Sequence, residues 1–316
     1  AEAASSPDLV ITTDQQMQDF IDTINLGEAS GTSHTGHCFH GKLVTLGADV
    51  NLSLTAAPTN DGASSLYSFF CGTFDGCGHT IKLTYTSSDD SCALFRNIQG
   101  TFKNVVFDVT MNVAKYAACV AINNNGIIEN CSTTASSVIS GTSGIAAIVY
   151  NTQSSGKVLN CVNYGTVETT SADVAGVVYK VVGNSVVSGC RNYGDIISGI
   201  GAAGGICYSV AGSGAKVENC INYGKIEAKG LHVGGISAVI SDGDGNGGTI
   251  FGCTNYGSIS TYGKNAVRVG GVVGFSYKNA LIDSCTNNGY VLLEATDSGY
   301  GVGGILGGSK YGIVTI

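Results

Sequence analysis

The sequence predicts an all-β solenoid, a parallel β-helix with about 30 residues per coil and a short helical cap in front of it. Three observations carry this. Cys131, Cys161, Cys190, Cys220, Cys253 and Cys285 recur at intervals of 30, 29, 30, 33 and 32 residues, each inside the same short phrase. β-Branched residues and glycine dominate that phrase, which offers neither the 3.6-residue period nor the helix formers of a helical repeat. Residue types that favour corners hold the same places in every copy.

Taking the elements in chain order, residues 1–64 read as a cap region with one helix. In ITTDQQMQDFIDTINLG, Thr13 and Gln16 fit a capping box and Met17, Phe20, Ile21 and Ile24 form one apolar stripe. Gly27 ends the helix, which spans about residues 13–26. A solenoid exposes strand edges and core at its ends, so this helix is expected to cover the N-terminal one. Residues 65–316 read as the β-helix, about nine coils by the repeat spacing. Its last coil is incomplete, because GGILGGSKYGIVTI follows GGVVGFSYKNALIDSC only to the point before the cysteine. The first coils are degenerate: FCGTFDGCGHTIKLTY, ALFRNIQGTFKNVVFDVTM and NNNGIIENC keep Gly corners and inward aliphatics without the full phrase.

Each full copy opens with a strand whose apolar residue lies three places before the cysteine: Ile128, Val158, Val187, Val217, Ile250, Ile282. Strict alternation would then put the cysteine outside. The residue before it is Asn130, Asn160, Gly189, Asn219, Gly252 or Ser284, types that tolerate positive φ or favour corners. A bend there resets the alternation and turns the thiol inward, where cysteine behaves as a small hydrophobe and six of them can stack as a ladder. Next comes N-Y-G at 163–165, 192–194, 222–224 and 255–257, with Asn287-Asn288-Gly289 as a variant. It reads as a second corner, followed by the apolar Val167, Ile196, Ile226, Ile259 and Val291 of a second strand. A third strand carries a small-small-apolar phrase such as Gly204-Gly205-Ile206, which SGIAAIVY (143–150) has without the Gly pair. Three strands and three corners make a coil. Coils about 4.8 Å apart place like residues on like, so asparagine amides can ladder and aliphatics fill the interior. The phrase repeats because one coil cannot bury its own face.

Composition narrows the function. Hydrophobic residues make up 43% and charged residues 12%, which excludes a disordered chain. A net charge of −8 with only 15 Lys and Arg excludes a nucleic-acid surface. No apolar run approaches the roughly 20 residues of a transmembrane helix. The opening AEAASSPD has the small residues left by signal cleavage, and the chain reads as a mature secreted or surface protein. Twelve cysteines in 316 residues fall below the density of a disulfide scaffold.

GTFDGCGHTI, ALFRNI and GTFKNVVF, with GGVVG (270–274) and GGILG (303–307) further on, resemble bacterial surface and secreted proteins with GLUG-type repeats. The resemblance covers roughly residues 65–316. It implies a right-handed parallel β-helix, an extracellular location and an adhesin-like role.

Candidate sites stand beside plainer readings. Asp242-Gly-Asp244-Gly-Asn246-Gly matches the first half of a calcium loop, which makes calcium the one candidate cofactor; the twelfth position is Cys253 instead of Glu, and the coil is longer here, so an inserted turn fits better. His34, His37, Cys38 and His40 fall within seven residues, dense enough for a soft metal, but in a Gly/Ser-rich loop with no matching second cluster. Cys71 and Cys77 are placed for one local disulfide or simply for a corner. Tyr164, Tyr193, Tyr223 and Tyr256 form an outer column whose rings could stack on sugars or shield a corner.

Polysaccharide-cleaving β-helices need acids at equivalent places on successive coils. Here the outward columns read Glu129, Leu159, Ser188, Glu218, Phe251, Asp283 and Glu168, Ile197, Glu227, Ser260, Leu292, with acids never adjacent. Asp195 and Lys225 look like a cross-coil ion pair. Asp75, His79, Asp89, Asp90 and Arg96 are the only other polar concentration. No enzyme signature emerges. The expectation is a non-enzymatic, adhesin-like interaction or stalk domain with a glycan or host surface protein as partner. A polysaccharide lyase or hydrolase and a passive spacer are the alternatives.

Overall fold

A computed structural model describes residues 6–29, 36–54, 66–87, 91–241, 247–262, 267–277, 279–294, 301–310 and 314–316. It is a β-solenoid of about eight stacked parallel coils, about 30 residues each, with one short helix. The count is lower than the repeat spacing suggests because the terminal coils lack whole sides: one sheet has eleven strands and another eight.

One coil shows the plan. Lys157–Leu159 makes the first side, Val162–Asn163 and Thr166–Thr169 the second, and Val174–Ala175 and Val178–Val182, in two separate sheets, the third. Five short strands thus replace the three expected. N-Y-G is a kink within one sheet, since Val106–Val113 of an earlier coil runs straight through the equivalent place. Its glycine serves close approach: a Cβ on Gly194 or Gly224 would collide with the glycine carbonyl of the coil before. The true corner is the residue before each cysteine. Asn130, Asn160, Gly189, Asn219, Gly252 and Ser284 all sit at φ between 53° and 67°, the left-handed region.

That bend brings Cys131, Cys161, Cys190, Cys220 and Cys253 into the interior with 0% exposure, while Cys285 at the last coil is half-buried. Beside them runs one aliphatic and aromatic column in register: Val44, Phe74, Phe102, Ile128, Val158, Val187, Val217, Ile250, Ile282. Fully burying such a side chain contributes about 1.5–3 kcal/mol, so the column is a main source of cohesion between coils. Phenylalanines fill the interior of the first coils, with Phe74 stacked on Phe102 at 4.8 Å and Phe70 on Phe95 at 5.4 Å.

The asparagines of N-Y-G form a buried amide column. Asn163 donates to Asn192, Asn192 to Asn222, Asn222 to Asn255 and Asn255 to Asn287, each at 2.8 Å. Every amide also donates to the carbonyl of the glycine two residues on, at 2.9–3.1 Å. These bonds satisfy groups that would otherwise be buried without partners.

The helix Asp14–Asn25 has Thr13 as its N-cap, accepting from the Gln16 amide at 3.3 Å, and buries Met17, Phe20, Ile21 and Ile24. Phe20 meets Phe39, Phe70, Phe74 and Phe95, so the helix closes the interior beside the first coils. The parallel sheets reach back into the segment read as cap. Leu9–Ile11 pairs with Leu43–Leu46, and Val50–Leu54 with the strand Thr80–Ser87. No helix among the described residues is long and apolar enough to cross a membrane.

Candidate functional site

The second side carries the most regular exposed feature. Asn163 and Gly165 are buried, so the chain between them must turn Tyr164 outward, and the same holds in the next three coils. Tyr164, Tyr193, Tyr223 and Tyr256 stack with centroids 5.0, 4.7 and 5.2 Å apart and planes within 11°. They remain 46, 42, 40 and 49% exposed. The stacking changes what the column offers. Face-on contact with a sugar requires a bare ring face, and the coil rise is close enough to ring thickness that each inner ring is covered on both faces. The column therefore presents ring edges, the positive rim of the aromatic quadrupole, and a row of phenol hydroxyls at the coil repeat.

The outward columns beside it carry mixed charge. Lys225 pairs with Glu227 two residues along its own strand rather than across coils, and Asp195 acts on it only at longer range. Asp195 lies directly across from Lys225 at the coil spacing, nearer along the backbone than Glu227, so the departure from the expected pair is set by which way the long Lys225 side chain turns.

The other residues singled out from the sequence disperse. Asp242, Asp244 and Asn246 lie outside the described residues, as do His34, Asp89 and Asp90. His37 Nδ1 is 2.9 Å from the Gly27 carbonyl, Cys38 is buried, and no three His, Cys, Asp or Glu side chains converge among the described residues. Cys77 keeps its thiol, donating to the Asp75 carbonyl at 3.6 Å, so the Cys71–Cys77 disulfide is not formed. Asp75 holds a corner: it accepts from the Cys77 amide and from Asn104, each at 2.9 Å, and faces Lys103 at 3.6 Å. Partial burial would raise its carboxyl, but these donors outweigh it and lower the pKa. His79 contacts Asp49 at 3.2 Å. Arg96 sits half-buried on the third side.

The cysteine column is coupled thiol to thiol. Burial, reinforced by neighbouring sulfurs, raises Cys161 and Cys220. Burial acts the same way at Cys190, but hydrogen bonds from Cys161 and Cys220 reverse the direction, and bonds from Cys220 and Cys285 do so at Cys253. Among the described residues no Lys or Arg is buried, so a thiolate in this interior would lack a counter-ion and the column stays protonated.

Two features escaped the sequence reading. A second tyrosine column, Tyr116, Tyr150, Tyr179 and Tyr208, stacks at 4.6–4.8 Å on the third side. Tyr150 and Tyr179 are 8% and 7% exposed, packed with Ala118, Ala146 and Ala175, and burial raises both phenols. The signal was present: a tyrosine closes IAAIVY, VAGVVY and AGGICY. The other is His232, stacked on Phe275 at 4.7 Å with Nε2 3.3 Å from the Tyr277 hydroxyl. Burial and the charge of Arg268 lower it to about 4, so it is neutral near pH 7.

No protein-family model and no curated protein matches the chain. Among solved structures, the chain is similar to a crystal structure titled as that of a "putative immunoglobulin A1 protease" from Bacteroides ovatus. The TM-score is 0.57 at 18% identity, over 96% of this chain and 84% of that one. A likeness at that identity is a likeness of fold.

Proposed function

We propose that this protein is an extracellular, non-enzymatic, adhesin-like interaction module whose tyrosine-bearing side binds glycan. The observation that carries the reading is the column Tyr164, Tyr193, Tyr223 and Tyr256: four aromatic edges in register, 40–49% exposed, on a face free of core duty. An exposed aromatic row is costly to leave in water and is a common mark of an interaction surface. Sugars suit it because their hydroxyl oxygens meet the positive ring rim and the phenols supply both donors and acceptors. The resemblance to GLUG-type repeats supports the extracellular placement. The solved structure of similar fold is described as a "putative immunoglobulin A1 protease"; at 18% identity this lends the chain no proteolytic chemistry, and the reading stays with binding.

A glycan array probed with the wild-type chain and with a Tyr193→Ala/Tyr223→Ala double variant tests it. Retention of a glycan class by the wild type, weakened at least tenfold in the variant, is the expected result. A wild type that retains nothing, or a variant that binds as well, would overturn the proposal. So would release of new reducing ends from any bound polysaccharide, which would make the chain an enzyme.

A further inference from the structure

The same outer side carries a groove that the tyrosine column does not use. It has a volume of about 460 Å³ and is lined on four successive coils, by Asn112, by Ser140 and Thr142, by Glu168 and Thr170, and by Ile197. Register fixes its direction. Asn112, Ser140, Glu168 and Ile197 are stacked partners across those coils, so the groove runs parallel to the solenoid axis. Three steps of about 4.8 Å make it about 14 Å long, room for an extended run of about three sugar rings.

Its chemistry narrows the occupant. The Ser140 hydroxyl donates to the Met111 carbonyl at 2.9 Å and the Thr142 hydroxyl to the Ala114 carbonyl at 2.6 Å. With their protons spent on the backbone, both oxygens turn lone pairs to the groove. The Glu168 carboxylate is acceptor-only as well, the Asn112 amide at one end and the Thr170 hydroxyl beside Glu168 can donate, and Ile197 is an apolar patch at the other end. A mostly apolar wall with three acceptor groups, one of them a carboxylate, on a chain of net charge −8, suits a ligand with apolar faces and hydroxyl donors and without negative charge. We infer that this groove is a binding site for a linear, uncharged polysaccharide lying along the solenoid axis, with its hydroxyls donating to Glu168, Ser140 and Thr142 and a sugar C–H face on Ile197. The inference rests on the glycan reading above and names the class and direction of the chain.

Calorimetric titration with neutral linear oligosaccharides of two to six hexose units, and with oligogalacturonates of the same lengths, tests it. Affinity for the neutral series should climb with length to about four units and then level, the galacturonates binding at least tenfold more weakly. Glu168→Ala should weaken neutral binding about tenfold, and Ile197→Trp, which fills the groove from outside the core, should abolish it without shifting the melting temperature. Should the tryptophan variant fail to fold, the alanine variant still decides. Neutral glycan binding that the tyrosine double variant weakens but both groove variants leave intact would overturn this site and leave the proposed function standing. Galacturonates binding as tightly would overturn the class. A wild type that binds no sugar would overturn the parent reading.

Discussion

Replacing Asn222 with alanine removes one rung from the middle of the buried amide column, and its cost can be worked from the neighbours. Asn222 is 0% exposed. Its amide nitrogen donates to the Gly224 carbonyl at 3.0 Å and to Asn255 at 2.8 Å, and its oxygen accepts from Asn192 at 2.8 Å. Each neighbour keeps a second bond, Asn192 to the Gly194 carbonyl and Asn255 from the Gly257 amide, so no neighbouring amide is stripped bare. Three net hydrogen bonds at about 1 kcal/mol each give about 3 kcal/mol, before any cost for the small void. Asn287 supplies the internal control. It accepts from Asn255 and donates to the Gly289 carbonyl, but it is half-buried at the last coil, where water can replace what is lost. Asn287→Ala should therefore cost about 1 kcal/mol. Guanidinium unfolding followed by circular dichroism reads both from the midpoint shift, provided the slopes agree and the array unfolds as one unit. A loss below about 1 kcal/mol for Asn222→Ala, or one no larger than for Asn287→Ala, would refute the claim that the amide column binds coil to coil.

Two further outcomes follow from buried groups. His232 is held at about 4 in the folded chain against 6.5 in the unfolded one. Below pH 6.5 the unfolded state therefore takes up a proton that the folded state refuses. Its contribution is fully present above pH 6.5, falls as the pH drops toward 4 and is flat below; the full span is worth about 3 kcal/mol at most. Melting temperatures across that range should show the slope in the wild type and a shallower one in His232→Phe; equal slopes would remove His232 as the cause. Thiol labelling checks the cysteine column: under native conditions an alkylating reagent should modify exposed Cys77 and half-buried Cys285, while Cys131 through Cys253 react only on unfolding. Rapid native modification of Cys190 or Cys220 would place the column outside the core.

The fold was legible because its strongest determinants are local and repeated. The residue before each cysteine could be read as a corner from its type alone, and all six sit in the left-handed region. The asparagine amides could be read as a ladder because like residues one coil apart lie within hydrogen-bond reach of each other at that spacing. What escaped was how a coil divides its perimeter. Nothing in Asn163-Tyr164-Gly165 distinguishes a kink within a sheet from a corner between sheets; the distinction appears in Val106–Val113, where a strand without the glycine passes through unbroken. The partner of Lys225 escaped for a related reason, since a long flexible side chain can turn to an axial or an along-strand neighbour, and a column of letters shows only the axial one.

The candidate site was half legible, and the division follows the physics of the solenoid. A column such as Tyr164 to Tyr256 is a one-dimensional repeat, so identity at a fixed spacing reveals it. The stacking that covers the inner ring faces is set by the coil rise, a property of the backbone shared by every β-solenoid. The groove is not a repeat at all. Asn112, Ser140, Glu168 and Ile197 share a register position and nothing else, so no repeated letter marks the groove they line. A solenoid core must repeat to stack, whereas its outer face is released from that demand wherever a ligand sets a different one. Departure from the repeat on an outward column, bounded by coils that keep the repeat inside, is therefore one place where a ligand rather than the core can set the residues. By that criterion the coils from Asn112 to Ile197 are where binding would concentrate, and the tyrosines, which do repeat, both stiffen the face and serve it.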